Sequence, residues 1–297
     1  MGRDRVTIVE QVAALVDEHY VFPAVGPRIS AVLRRRLDEG AYAGLEPEAL
    51  ATRVTTDLQS VNGDRHTRLV FHADELPADH GDDAADAVRR GALAARWAGG
   101  VTRAELLEGN VAVVALAPIL FPPAAAGESV GAAMTWARRS SALILDLRRC
   151  LGGDPRTVTL VCGYLVGDER VHVNSLRDRH GDLTQFWTSP ALPGRRFGPE
   201  RPVAVLTGAD TFSSAEELAY DLQQLGRAEV IGERTPGGAH NRRAFRVHPH
   251  LEATISVSAA VNPVTGTNWE GVGVVPDVEV PAADALDVAH RRLRVAP

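Results

Sequence analysis

At 297 residues, 45% of them apolar and 24% charged, the chain has the composition of a globular protein with ample core for one large or two modest domains. A net charge of −6 with no basic block argues against nucleic acid as a partner, and no apolar run reaches membrane-spanning length. All 32 basic side chains counted as Lys+Arg are arginine, and the absence of lysine excludes a lysine base, a Schiff-base lysine and a Walker A loop.

Residues 4–61 predict three helices, with Val6, Val9, Val12 and Val16 on the first. Ile29, Leu33 and Leu37 follow Pro27 on the second, and Leu50, Val54 and Leu58 follow Pro47 on the third. Together they form an N-terminal helical bundle over 1–62. Val6–Val16 is amphipathic and is not a secretory signal, so cytoplasmic residence is the expectation. Asn62-Gly63-Asp64 is a turn, and Arg65–Phe71 starts a strand. Residues 75–92 are polar and read as a loop or an exposed helix. Leu106–Leu116 predicts a hairpin turning at Glu108-Gly109-Asn110. Val111–Leu116, Ala142–Leu147 and Val203–Leu206 are continuous apolar runs separated by helical segments. That order implies a β/α core, over 63–297, whose parallel strands are buried on both faces. A further strand is expected near 228–231, strand-like alternation covers 242–258, and a last helix covers about 282–292. Cys150 and Cys162 have no paired spacing, so neither a disulfide nor a zinc site is expected.

The chemistry centres on Ala209–Tyr220, where a strand, a tight turn, Ser213 and a helix follow in order. A serine at the head of a helix lies beside unpaired backbone N–H groups and the positive end of the helix dipole. Those groups suit the oxyanion formed when a serine attacks a carbonyl. The plainer reading makes Ser213 or Ser214 an N-cap with Glu216 completing a capping box. Four other segments carry candidates: His66 after a turn; Arg148–Gly153, a glycine turn whose N–H groups form an anion nest; Thr235–His240, with His240 as a rival base; and Asn268–Asp277, where Glu270 stands among glycines. Gly127-Glu128-Ser129-Val130-Gly131 matches the Gly-x-Ser-x-Gly elbow literally. Pro122 and Pro123 forbid the central strand that an elbow needs, so Ser129 is read as the N-cap of a 130–138 helix.

Taken together, Tyr20–Pro23, Gly63–His66, Leu145–Arg148 with Gly152-Gly153, Thr211–Glu217, Gly232–His240 and Asn262–Glu270 with Val275–Asp277 resemble the S41 serine peptidases. These are the tail-specific proteases, the tricorn core and the module of interphotoreceptor retinoid-binding protein, the bacterial form of the last being the nearest. The resemblance implies a helical bundle on a crotonase-like spiral β/α core, and the gap from 73 to 100 is too short for the PDZ domain some members insert. It places the nucleophile at Ser213. The tail-specific lysine base falls near Gly238 and is missing. The resemblance therefore implies the tricorn-like set, with His66 as base, Glu270 as orienter, and N–H groups of Gly152, Gly153 and Ser214 as the oxyanion hole. Cys150 stands where the family commonly has asparagine, and Arg65 where tricorn has a small hydroxyl residue. A serine hydrolase of peptide or small acyl substrates follows, needing no cofactor or metal. Two alternatives share the fold. One is an apolar-ligand carrier lined by Ile119, Leu120, Phe121, Trp136 and Trp187, and the other is a biosynthetic acyl-transfer or cyclising enzyme. Oligomeric state is open.

Overall fold

The computed structural model describes residues 2–294. In chain order the elements are α1 (Gly2–His19), α2 (Gly26–Asp38), α3 (Pro47–Gln59), β1 (Arg68–Phe71), α4 (Asp83–Arg96), β2 (Val101–Leu107), β3 (Val111–Leu116), α5 (Pro123–Ala137), β4 (Ala142–Asp146), α6 (Pro155–Leu165), β5 (His172–Asp178), β6 (Leu183–Trp187), β7 (Val203–Thr207), α7 (Ser214–Gln224), β8 (Glu229–Gly232), β9 (His240–His248), β10 (Leu251–Val261), β11 (Val278–Glu279) and α8 (Ala285–Arg294). None of these helices is long and apolar enough to cross a membrane. The chain divides into two compact units.

The first unit takes the residues up to Ala87 together with Leu176–Thr184 and His240–Ala260. The three predicted helices are present, and the 3.6-residue spacing puts Val9, Val12, Val16, Ile29, Leu33, Leu50, Val54 and Leu58 into one core. Proline at the first turn starts both α2 and α3, where its missing N–H costs nothing. Leu69 of β1 and Leu251, Ala253 and Ile255 of β10 complete that core. β1 runs antiparallel to β10, which pairs on its other side with β9.

The second unit takes Val88–Ser175, Gln185–Ala239 and the chain from Val261 on. Its sheet has the order β11-β8-β7-β4-β3-β2. β3, β4, β7, β8 and β11 are parallel, and β2 closes one edge as the antiparallel arm of the predicted hairpin. Every residue of β7 is buried, as the continuous apolar run requires. Alternation across the pleat puts Val111, Val113, Ile144, Ala204 and Leu206 against Ala285 and Ala289 of α8.

Three elements differ from expectation. The helix holding the Gly-x-Ser-x-Gly match begins at Pro123, so Ser129 lies inside α5 rather than at its N-cap. The prolines that end a strand there also start the helix. β5 and β6 have too little apolar alternation to stand out, and the exposed pattern of β6 shows why.

Candidate active site

Parallel neighbours in a sheet send their C-terminal loops out of the same edge, where sites of α/β folds gather. β4 and β7 are such neighbours, with Asp146 opposite Leu206. Their loops, 147–154 and 208–213, are stitched together. Leu147 N–H donates to Leu206 O at 3.0 Å, Thr211 Oγ1 donates to Leu147 O at 2.9 Å, and Phe212 N–H donates to Cys150 O at 3.1 Å. The Arg148 guanidinium is spent on Asp146, at 2.9 and 2.6 Å, so the anion nest of this turn is left to its backbone.

These ties bring Ser213 onto Gly152. A Cβ on Gly152 would lie 2.7 Å from the Ser213 Cβ, and one on Gly153 would lie 2.2 Å from Leu120 O. Both glycines have φ values, 100° and 137°, that side chains rarely adopt. Their carbonyls are occupied: Leu120 N–H donates to Gly152 O at 2.7 Å, and Ser214 Oγ donates to Gly153 O at 2.9 Å. Ser213 itself is held at φ 53°, ψ −123°, one of three non-glycine residues with positive φ among those described. Such a conformation costs on the order of 1–3 kcal/mol and persists only where its surroundings impose it.

What imposes it is Glu216, fully buried one turn along α7. Its carboxylate accepts from Ser213 N–H at 2.7 Å, Gly238 N–H at 2.9 Å, Gly237 N–H at 2.7 Å and Thr235 Oγ1 at 2.5 Å. Burial pushes this carboxyl above its ordinary range, and the four donors pull it only part of the way back. The capping-box reading of Glu216 is thus correct as geometry, because its side chain reaches back to the Ser213 N–H.

Through Glu216 the third and fourth glycine segments join the same network. Trp269 Nε1 donates to Gly238 O at 2.9 Å, Gly271 N–H to Gly237 O at 3.0 Å, and Val274 N–H to Thr235 Oγ1 at 2.7 Å. Glu270 accepts the Ala239 N–H at 2.5 Å. The second unit therefore assembles Ser213, Ser214, Gly152 and Gly153 around one turn and connects Glu270 to it through residues 237–239. Cys150 and Cys162 are both free and buried, in line with the absence of a disulfide framework. Burial pushes the Cys150 thiol up to about 12, so it is neutral at pH 7 and no rival nucleophile.

His66 and His240 lie in the first unit, and both are buried. Burial first, then the charges of Arg242, His240 and Arg68, push the His66 imidazole down to about 4 against the opposing pull of Asp64. His66 is neutral at pH 7 as a proton acceptor must be. His240 Nδ1 lies 2.9 Å from Asp64 Oδ2. Asp64 was legible only as a turn residue, although an acid two positions before a candidate histidine is a signal in itself.

Of the residues expected to line an apolar pocket, Leu120 and Phe121 are core. Trp136 borders a surface groove of about 410 Å³ with Thr135 and Pro193. Trp187 stacks on His172 at 4.6 Å.

Residues 123–280 match the model of peptidase family S41, and residues 3–93 match the N-terminal domain of peptidase S41 in eukaryotic IRBP. The chain belongs to peptidase family S41. Its fold is that of solved relatives at low identity. A putative peptidase from Parabacteroides merdae shares 18% identity at TM-score 0.66, over 99% of this chain and 97% of that one. The photosystem II D1 C-terminal processing protease shares 16% at 0.55, over 99% and 98%. The tricorn protease shares 14% at 0.61, over 99% of this chain and 37% of its own. This S41 chain is thus a mixed α/β protein with the fold of its family. The absence of lysine sets it apart from any member that relies on a Ser–Lys dyad.

Proposed function

We propose that the protein is a serine hydrolase that cleaves peptide or related acyl bonds, with Ser213 as nucleophile. The observation that carries this reading is the strained backbone of Ser213 at the head of α7, pressed against Gly152 and clamped by Glu216. A serine needed only as a cap gains nothing from that strain.

In the proposed reaction an imidazole takes the hydroxyl proton as Oγ attacks the carbonyl carbon. His66 is the expected base and His240 the alternative. The tetrahedral oxyanion is received by backbone N–H groups of Gly152, Gly153 and Ser214, and losing one such donor typically costs about 3 kcal/mol. The imidazolium returns the proton to the leaving amine, and water then releases the acyl group by the same steps in reverse. Glu270 contributes by bracing the chain at Ala239 beside His240. Acyl transfer to an acceptor other than water uses the same groups and differs only in the second half-reaction.

A fluorophosphonate probe is expected to label the wild type on Ser213, and Ser213→Ala to abolish the labelling. Undiminished labelling of Ser213→Ala rejects the assignment.

A further inference from the structure

An oxyanion hole works only if its donors are aimed before the charge appears, so whatever holds a donor's direction matters as much as the donor. At Gly153 that direction is set from two sides. On one side the residue forms a parallel bridge with Leu120. Leu120 N–H donates to Gly152 O at 2.7 Å, and Asp154 N–H donates to Leu120 O at 2.8 Å. Both peptide bonds of Gly153 are trans, and a trans peptide points its C=O and its N–H in opposite directions. With Gly152 O turned toward Leu120, the Gly153 N–H is turned away from it. With the Asp154 N–H turned toward Leu120, the Gly153 C=O is turned away as well.

Both polar groups of Gly153 therefore face the side on which α7 begins. There the C=O meets the Ser214 hydroxyl, which donates to it at 2.9 Å. Ser214 is only 6% exposed and directly follows the proposed nucleophile, whose Cβ stands 2.7 Å from where a Cβ on Gly152 would lie. A glycine is free to leave φ 137° for other wells, so a peptide held at one end alone would swing its N–H off line. The Ser214 hydroxyl also faces the Glu217 carboxyl, which burial pushes up to about 7. Below that pH the carboxyl is mostly protonated, and the Gly153 carbonyl is the acceptor of the Ser214 proton.

Resting on the hydrolase reading above, we propose that Ser214 is a positioning residue whose side-chain hydroxyl holds the Gly153 carbonyl, so that the Gly153 N–H stays aimed at the oxyanion formed when Ser213 attacks. The brace lies wholly in the second unit. It touches no reacting atom and moves no proton. It acts only where negative charge builds on the attacked group, and leaves binding of the neutral reactant unchanged.

The test is fluorophosphonate labelling at pH 6 over a range of probe concentrations, which separates kinact from KI, in the wild type, Ser214→Ala and Ser214→Thr. As the Ser213 Oγ–phosphorus bond forms and fluoride leaves, charge builds on the phosphoryl oxygen in place of the carbonyl oxygen. Ser214→Ala is expected to lower kinact about tenfold, short of the roughly hundred- to thousandfold that loss of a whole donor brings. KI should stay within about twofold, because the neutral probe does not use the brace. Ser214→Thr keeps a hydroxyl and should recover kinact to within about threefold of the wild type. A capping role alone would shift the urea midpoint and leave kinact of the folded protein unchanged. Proton–nitrogen NMR of the Gly153 amide supplies a measurement that does not depend on the added threonine methyl. Its proton is expected to move downfield on labelling of the wild type, and by less than half as far in Ser214→Ala. Labelling that survives Ser213→Ala would defeat the hydrolase reading itself. Labelling confined to Ser213 with kinact unchanged in Ser214→Ala, a loss that lies in KI instead, or an equal Gly153 shift in the two proteins would overturn this inference alone.

Discussion

Replacing Glu216 by alanine should destabilise the protein by about 4 kcal/mol and silence Ser213 together. Four donors converge on this one carboxylate: the N–H groups of Ser213, Gly237 and Gly238 and the hydroxyl of Thr235. Each buried donor left without a partner costs roughly 1–3 kcal/mol, reduced where water reaches the gap. The Ser213 N–H is held by this carboxylate, so without it the 208–213 turn is expected to relax toward ordinary φ. Glu216→Gln should cost about half as much. One amide oxygen still serves two donors, while the amide N–H2 faces the other two. Urea unfolding measures the stability and the rate of fluorophosphonate labelling measures the turn. An alanine variant within about 1 kcal/mol of the wild type would show that the clamp is not what holds Ser213.

Much of this arrangement was readable in the sequence because local chemistry and global fold agree there. Continuous apolar runs gave β3, β4 and β7, and Pro27 and Pro47 fixed the starts of two helices. Glycines marked the turns that later proved to meet: Gly152 and Gly153 against Ser213 and Leu120, and Gly273 against Thr235, where a Cβ would lie 1.9 Å from the carbonyl. The unread parts are those whose meaning comes only from distant partners. Asp64 looks like any turn aspartate until His240 arrives from far along the chain. Glu216 reads as a cap residue because the reach to Ser213 is local, whereas its bonds to 235–238 are not. β6 stayed hidden because its side chains are largely exposed and carry no burial period. Glu217 and Asp221 read as ordinary helix acids, although a helix with acids at i and i+4 and no basic residue is a visible oddity.

That acid pair carries the second large prediction, a stability that falls as pH rises and that Asp221→Asn should flatten. Glu217 and Asp221 are both buried on α7, one turn apart, and Glu217 is one turn from Ser213. Asn262 Nδ2 donates to Asp221 Oδ1 at 2.9 Å, but Asp221 Oδ2 and Glu217 Oε1 have no hydrogen-bond partner. Burial first, then the charge of Asp154, push the Glu217 carboxyl up to about 7, with Asn174 and Ser214 pulling the other way. Burial and the neighbouring Glu217 push Asp221 well above its ordinary range. Below about pH 3 both carboxyls are protonated folded or unfolded, and the pair costs nothing. As pH rises the unfolded chain releases these protons while the native state keeps them, so stability declines through pH 7. Asp221→Asn removes one titration and offers Glu217 an amide donor, so the variant should gain more than about 1 kcal/mol over the wild type at pH 8 and nothing at pH 3. Urea midpoints across that range decide it, and parallel curves for the two proteins would refute this account of the acid pair. Because the Ser214 hydroxyl faces Glu217 and also donates to Gly153 O, the wild-type pair reaches the serine turn directly. Ionisation of Glu217 draws that hydroxyl toward the carboxylate and away from the glycine loop. Labelling of Ser213 at alkaline pH should therefore fall in the wild type before global unfolding, and fall less in Asp221→Asn.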